Sequence, residues 1–144
     1  MKVVIIMGSA SDEAHAKKIT DGLDSHGIAW EQHVASAHKQ PRKVLEILEV
    51  NKNAECIVYI TIAGRSNALS GFVAANSTWP TFGCPPFSDK ADMLVNVHST
   101  LQMPSQTPVL TVYTPVTVLL QSSVLLTSLV ENIDFRLGAE NNLP

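Results

Sequence analysis

Blocks of apolar and polar positions alternate along this chain, and they predict strand and helix in turn. Val3 to Met7 is an unbroken apolar run, the pattern of a strand buried on both faces. The period then changes: Ala14, Ala16, Ile19 and Leu23 fall on one stripe of a helix, with Ser11 or Asp12 placed to cap it and Gly27 to end it. Ile28 to Val34 is a second strand, more polar and so expected nearer a sheet edge. Pro41 suits the first turn of a second helix, whose expected buried face is Val44, Leu45, Ile47 and Leu48. Cys56 to Ile62 is the clearest central strand, followed by a helix over 66–76 that carries Leu69, Phe72 and Val73. Thr81 to Cys84 predicts a short fourth strand, stopped by Pro85-Pro86. Asp89 to Leu101 reads as a helix with Met93, Leu94 and Val97 inward, Val109 to Tyr113 as a fifth strand, and Pro115 onward as a long last helix.

Strand and helix alternate without linker, repeat or low-complexity tract. That pattern predicts an α/β fold, a three-layer α/β/α sandwich around a parallel five-stranded sheet, with right-handed crossovers placing helices on both faces. A flavodoxin-like order, 2-1-3-4-5, follows from the fold class and sets the first three strands side by side. At 144 residues the chain is expected to form one domain, 1–144, with a sizeable core.

Composition narrows the function classes. The chain is 45% hydrophobic and only 16% charged, which suits a globular protein with some surface covered by partner subunits. A net charge of −3 argues against a nucleic-acid footprint. The doublets Lys17-Lys18 and Arg42-Lys43 read as solvated helix faces. Cys56 and Cys84 sit in no CxxC pattern and are expected to be buried, reduced thiols of a cytoplasmic protein. Met1-Lys2 runs directly into the first strand, unlike a cleavable leader. The apolar stretch 116–130 is interrupted by Gln121, Ser122, Ser123, Thr127 and Ser128, and it falls short of the ~20 residues that span a bilayer. No membrane association is expected.

The candidate chemistry lies in three polar clusters, each at the end of an apolar run. In an open parallel sheet the carboxyl ends of neighbouring strands meet at one edge, where ligands bind. The first cluster is Gly8-Ser9-Ala10-Ser11-Asp12. Glycine admits close approach of a ligand, Ser9 and Ser11 donate to oxygen, the helix N-terminus favours an anion, and Asp12 suits ribose hydroxyls. The second, Ser36-Ala37-His38-Lys39, adds an imidazole for proton transfer and a further cation for phosphate. His15, His26, His33 and His98 read as ordinary polar residues. In the third, Ala63-Gly64-Arg65-Ser66-Asn67, Gly64 is expected to open a helix whose first amides, with Ser66 and Asn67, bind a second anion. Arg65 reads equally as a ligand or as a residue facing solvent or a neighbouring subunit. No Walker motif, GxGxxG or zinc spacing occurs. Two anion sites around one histidine suggest a small phosphorylated, carboxylated metabolite handled without a bound cofactor or metal.

Taken together, these clusters resemble the motifs of the phosphoribosylaminoimidazole carboxylases of purine biosynthesis, the PurE family. The third extends for that purpose to Ala63-Gly64-Arg65-Ser66-Asn67-Ala68-Leu69-Ser70-Gly71, and Cys84-Pro85-Pro86 and Leu101-Gln102-Met103-Pro104-Ser105 fit as well. The match runs in order from residue 3 to about 115. Class I members, which are mutases of N5-carboxyaminoimidazole ribonucleotide, carry a Gly-Gly-Ala-Ala-His-type segment at the third cluster. This chain has Ala-Gly-Arg-Ser-Asn there, and Lys39 where class I has arginine. It is similar instead to class II, which joins carbon dioxide directly to aminoimidazole ribonucleotide. The resemblance implies a cytoplasmic, cofactor-free homo-octamer with an α/β/α fold, in which His38 removes the C4 proton of the carboxylated ring. Ser9, Asp12, Ser36 and Lys39 would hold the ribose phosphate, Gly64 and Ser66 would line the pocket for carbon dioxide or the new carboxylate, and Ser11, Arg65 and Asn67 would be further substrate-binding residues. Past Thr114-Pro115 the chain departs from the family's alanine-rich helix with the bulkier run 116–126. The alternatives are the class I mutase reaction and a non-catalytic nucleotide-phosphate-binding module that needs Ser9, Asp12 and Lys39 but not His38.

Overall fold

The computed structural model describes residues 2–113, and the helix expected from Pro115 lies outside them. Five parallel strands form one sheet: β1 (Lys2–Met7), β2 (Ala29–Val34), β3 (Ile57–Ile62), β4 (Thr81–Gly83) and β5 (Leu110–Thr111). Their order is β2-β1-β3-β4-β5, the flavodoxin-like arrangement expected from the alternation. Four helices connect them: α1 (Glu13–Ser25), α2 (Pro41–Val50), α3 (Leu69–Ala75) and α4 (Lys90–Leu101).

The unbroken apolar run of β1 serves two cores at once. Because side chains alternate across a strand, Val3, Ile5 and Met7 pack with Ala16, Ile19 and Leu23 of α1 on one face. Val4 and Ile6 pack with Val44, Ile47 and Leu48 of α2 and Leu69 and Val73 of α3 on the other. β3 does the same with Val58, Ile60 and Ile62 against Ile57 and Tyr59. These two layers of helices make the sandwich. Burial on this scale, at about 1.5–3 kcal/mol for each large apolar side chain, is the main stabilising term. The more polar β2 lies at the sheet edge, as its pattern predicts.

Several local expectations are corrected. Asp12 does stand at the N-cap position of α1 but makes no side-chain cap bond there; Ser9 caps the turn before it, its Oγ accepting from the Ser11 amide while Asp12 Oδ2 accepts from the Ser9 amide at 3.1 Å. This capping box folds Ala10–Asp12 into a single 3₁₀ turn ahead of α1. Gly27 does end α1, at φ +64. Leu45 lies on the exposed side of α2, one residue off the stripe formed by Val44, Ile47 and Leu48. α3 starts at Leu69 rather than Ser66. β5 is only two residues long.

Of the α4 residues expected inward, Val97 is buried and Met93 half-buried, but Leu94 faces out, for a physical reason. Asn96, Val97 and Thr100 are buried, whereas Leu94 is 65% exposed and Val95 and Leu101 also face outward. The buried stripe is mostly polar because it bonds a loop, so apolar periodicity points the wrong way. Cys84 is buried, but Cys56 is only half-buried because β3 begins after it; both are free thiols.

Candidate active-site cleft

Strand register brings the three polar clusters together. Met7 stands level with Val34 on one side and Ile62 on the other. The Gly8 amide donates to the Ile62 carbonyl at 2.8 Å, and the Ala35 amide donates to the Met7 carbonyl at 2.8 Å. The chain therefore leaves all three strands at the same height. Glycine suits this close approach: a Cβ at Gly8 would lie 3.1 Å from Ala63 Cβ, tighter than an ordinary contact.

Around these strand ends opens a cleft of about 600 Å³, of the size that takes a small ligand. Of the sequence-predicted residues, Ser9, Ser11, Asp12, Ser36, His38, Gly64, Arg65, Ser66 and Asn67 line it. Lys39 does not; it is exposed, its amide donating to Ser36 Oγ at 3.3 Å. His38 is exposed in the turn beside it, its side chain available to a ligand. Lys18 lines the cleft instead, so one half of the Lys17-Lys18 doublet is more than a solvated face. Lys17 is paired with Asp21 at 2.6 Å.

The third cluster differs from its expected form. Asn67 Oδ1 accepts from the Leu69 and Ser70 amides at 3.0 and 3.3 Å, and its Nδ2 donates to Ser70 Oγ and Thr100 Oγ1. The first amides of α3 are thereby used within the chain rather than offered to an anion, and the Asn67 side chain is fully engaged. Arg65 has φ +61, and its guanidinium, 78% exposed, lies 3.4 Å from the Asp92 carboxylate.

Electrostatics separate the titratable groups. Burial pushes the Asp12 carboxyl above its ordinary value, against the opposing Ser9 amide. The Ser88 amide lowers Asp92, outweighing desolvation with help from Arg65, the Ser88 hydroxyl and Asn96. His15, also on the lining, is pushed down by burial and by the Lys18 charge, which keeps its ring neutral near pH 7. Its Nε2 lies 3.3 Å from Cys84 Sγ, and burial raises that thiol to about 12, so no thiolate forms there. Among the described residues, no three His, Cys, Asp or Glu side chains gather to hold a metal ion, and no helix is long and apolar enough to cross a membrane.

Sequence reasoning missed His15, Lys18, Asp92 and Asn96 on the lining. One signal was present for the first two. His15 and Lys18 fall at i and i+3 on one face of α1, and Ser11, four residues before His15 in the preceding turn, marks that face as the one toward the strand ends.

Comparison with known proteins agrees with this geometry. A family model described as AIR carboxylase matches residues 2–122. Phosphoribosylaminoimidazole carboxylase of Archaeoglobus fulgidus is 50% identical over 105 residues, covering 73% of this chain and 57% of that protein. The protein of the same name from Treponema denticola is 45% identical over 107 residues, covering 72% of this chain and 65% of its own length. This chain thus spans less than two thirds of either relative. The crystal structure of Treponema denticola PurE superposes with a TM-score of 0.81 at 34% identity, covering 97% of this chain and 91% of that one.

Proposed function

The chain belongs to the AIR carboxylase family, and from that premise we propose that it joins carbon dioxide to C4 of aminoimidazole ribonucleotide, in the manner of class II. The observation that carries this reading is the common height of the three strand ends, which gathers Asp12, His38 and Gly64 around one cleft. The aminoimidazole ring is enamine-like, so its C4 attacks carbon dioxide and a carbon–carbon bond forms. The adduct keeps a proton on C4, and His38 accepts that proton as the ring electrons return to aromaticity; solvent then takes it from the imidazole. Ser9, Ser11, Asp12 and Ser36 hold the ribose phosphate, and Asp12 has a carboxylate oxygen left over for a ribose hydroxyl after bonding the Ser9 amide. Lys39 stands outside the cleft, so Lys18 is assigned as the phosphate's cation. Gly64 and Ser66 face carbon dioxide, with Arg65 and Asn67 shaping that wall. General-base catalysis supplies ~10²–10⁴-fold, and positioning of two reactants supplies the rest. The outward Leu94, Val95 and Leu101 support assembly with further copies, in keeping with a cytoplasmic homo-octamer.

The class is tested by offering each substrate separately. Aminoimidazole ribonucleotide with carbon dioxide and no ATP should be carboxylated; consumption of the N5-carboxy compound alone would move the chain to the mutase class. A folded His38→Asn variant should bind the ribonucleotide yet lose turnover by about 10²–10⁴-fold. Full turnover in that variant would remove His38 as the base, and indifference of every function to it would favour a binding module.

A further inference from the structure

Loop 63–68 makes one wall of the cleft; the Asn67 amide reaches the Arg65 carbonyl at 2.9 Å within it, and the rest of its shape comes from outside the loop. Arg65 occupies the left-handed region at φ +61, which is costly for a residue with a side chain. Such a conformation persists where its surroundings over-determine it, and α4 supplies them. The Arg65 amide donates to Asn96 Oδ1 at 2.6 Å, and Ser99 Oγ donates to the Arg65 carbonyl at 2.7 Å. Ser99 Oγ also accepts from the Asn67 amide at 2.9 Å. Both polar backbone groups of Arg65 are thus fixed by side chains of one helix.

The other half of the Asn96 amide reaches the opposite loop, where Nδ2 donates to the Pro86 carbonyl at 2.7 Å. One buried side chain therefore ties together two stretches of chain that both line the cleft. Gly64 packs on the same group: a Cβ there would lie 3.3 Å from Asn96 Oδ1. An amide at a buried helix position is costly unless its donors and acceptor are used. Here both ends are used, each on a cleft loop.

We propose that Asn96 is a positioning residue for the carboxylation, with Ser99 as its companion. By holding Arg65 in the left-handed conformation it sets where Gly64 and Ser66 face carbon dioxide. This inference rests on the carboxylase function proposed above. The first and second clusters are bonded locally, through Ser9, Asp12 and Ser36, so the ribonucleotide end of the cleft does not depend on Asn96.

That asymmetry gives the test, which is steady-state turnover with carbon dioxide and aminoimidazole ribonucleotide varied in separate series. Asn96→Ala removes both bonds and should raise KM for carbon dioxide about tenfold, while KM for the ribonucleotide moves less than about twofold. Asn96→Asp keeps the acceptor for the Arg65 amide but turns a second oxygen toward the Pro86 carbonyl, so it should recover only part of that loss. Ser99→Ala should shift the same constant in the same direction, and it carries the test if Asn96→Ala fails to fold. An unchanged KM for carbon dioxide in the folded variants, or equal rises for both substrates, would overturn the positioning role. Wild-type protein run alongside separates the two claims. If it binds the ribonucleotide and never carboxylates it, the function fails and takes this role with it; active wild type with an indifferent variant removes the role alone.

Discussion

One wall of the cleft, built from residues 9–12 and 36–40, is held by its own short-range bonds, whereas the wall at 63–68 is tied mainly to α4. On the first wall Ser9, Ser11 and Asp12 bond one another, and Ser36 bonds the Lys39 amide. On the second, Asn96, Ser99 and Thr100 reach across the fold to Arg65 and Asn67. Local bonds cost little chain entropy and form wherever the turn forms. Long-range bonds require the sheet and α4 to be in place first, and they then resist local distortion. The difference suits the tasks proposed for the two walls. A flexible, charged ribose phosphate tolerates adaptable hydroxyls, whereas carbon dioxide offers few handles and needs a surface of fixed shape.

The largest expected effect comes from disturbing the packing beneath the second wall. A Cβ on Gly83 would lie 2.6 Å from Thr100 Cγ2 and 3.0 Å from Ser70 Oγ, so Gly83→Ala forces α4 and α3 apart. It should destabilise the fold by about 1–3 kcal/mol in urea unfolding, and weaken carbon dioxide use more than ribonucleotide binding. Equal loss at both ends would mean that the walls are not independent.

A cation swap sharpens the first wall. Lys18→Ala should raise the ribonucleotide KM about tenfold, close to the worth of a charge-assisted hydrogen bond. Lys39→Ala should change it far less, and the reverse ranking would return Lys39 to the phosphate. Next in size is the cap. Ser9→Ala removes the acceptor of the Ser11 amide and should cost about 1 kcal/mol in thermal or urea unfolding. Its effect on the carbon dioxide constant should be negligible.

The smallest effect lies away from the cleft and serves as a reference. Burial works to raise the Glu31 carboxyl, but bonds from Lys2, Asn51 and His33 outweigh it and bring the group down to about 2. A depressed carboxylate stabilises the fold above its ordinary range, near pH 4.5, and that contribution is lost as pH falls toward 2. Glu31→Gln should therefore lower stability at neutral pH by less than about 1 kcal/mol, allowing for solvent screening, and flatten the acid limb of a urea-midpoint profile. An unchanged acid limb would show that these bonds carry no stability. Turnover should not change.

The same division between near and far governs how much was legible in the sequence. β1, β3, the Gly27 helix end, Pro41 and the chemistry of the clusters follow from neighbours in the chain, and the parallel order brings the strand ends together. Nine of the ten proposed site residues line the cleft for that reason, with Lys39 the exception. What was misread depends on distant contacts. α3 starts late because Asn67 and α4 claim the preceding loop, and the inward face of α4 is polar because it bonds that loop. Asn96 carried no local mark of its role, since a lone asparagine between two valines reads as solvent-facing. Lys18 was hidden differently: the doublet suggested solvent, and only the helical spacing from Ser11 and His15 pointed to the cleft.

The most direct measurement is the initial rate at which carboxylated nucleotide appears by ultraviolet absorbance, from aminoimidazole ribonucleotide across a range of dissolved carbon dioxide, without ATP. The rate should saturate in carbon dioxide, scale with protein and collapse in His38→Asn. Folded wild-type protein that binds the ribonucleotide yet gives no rate above the uncatalysed background would contradict the proposed carboxylation.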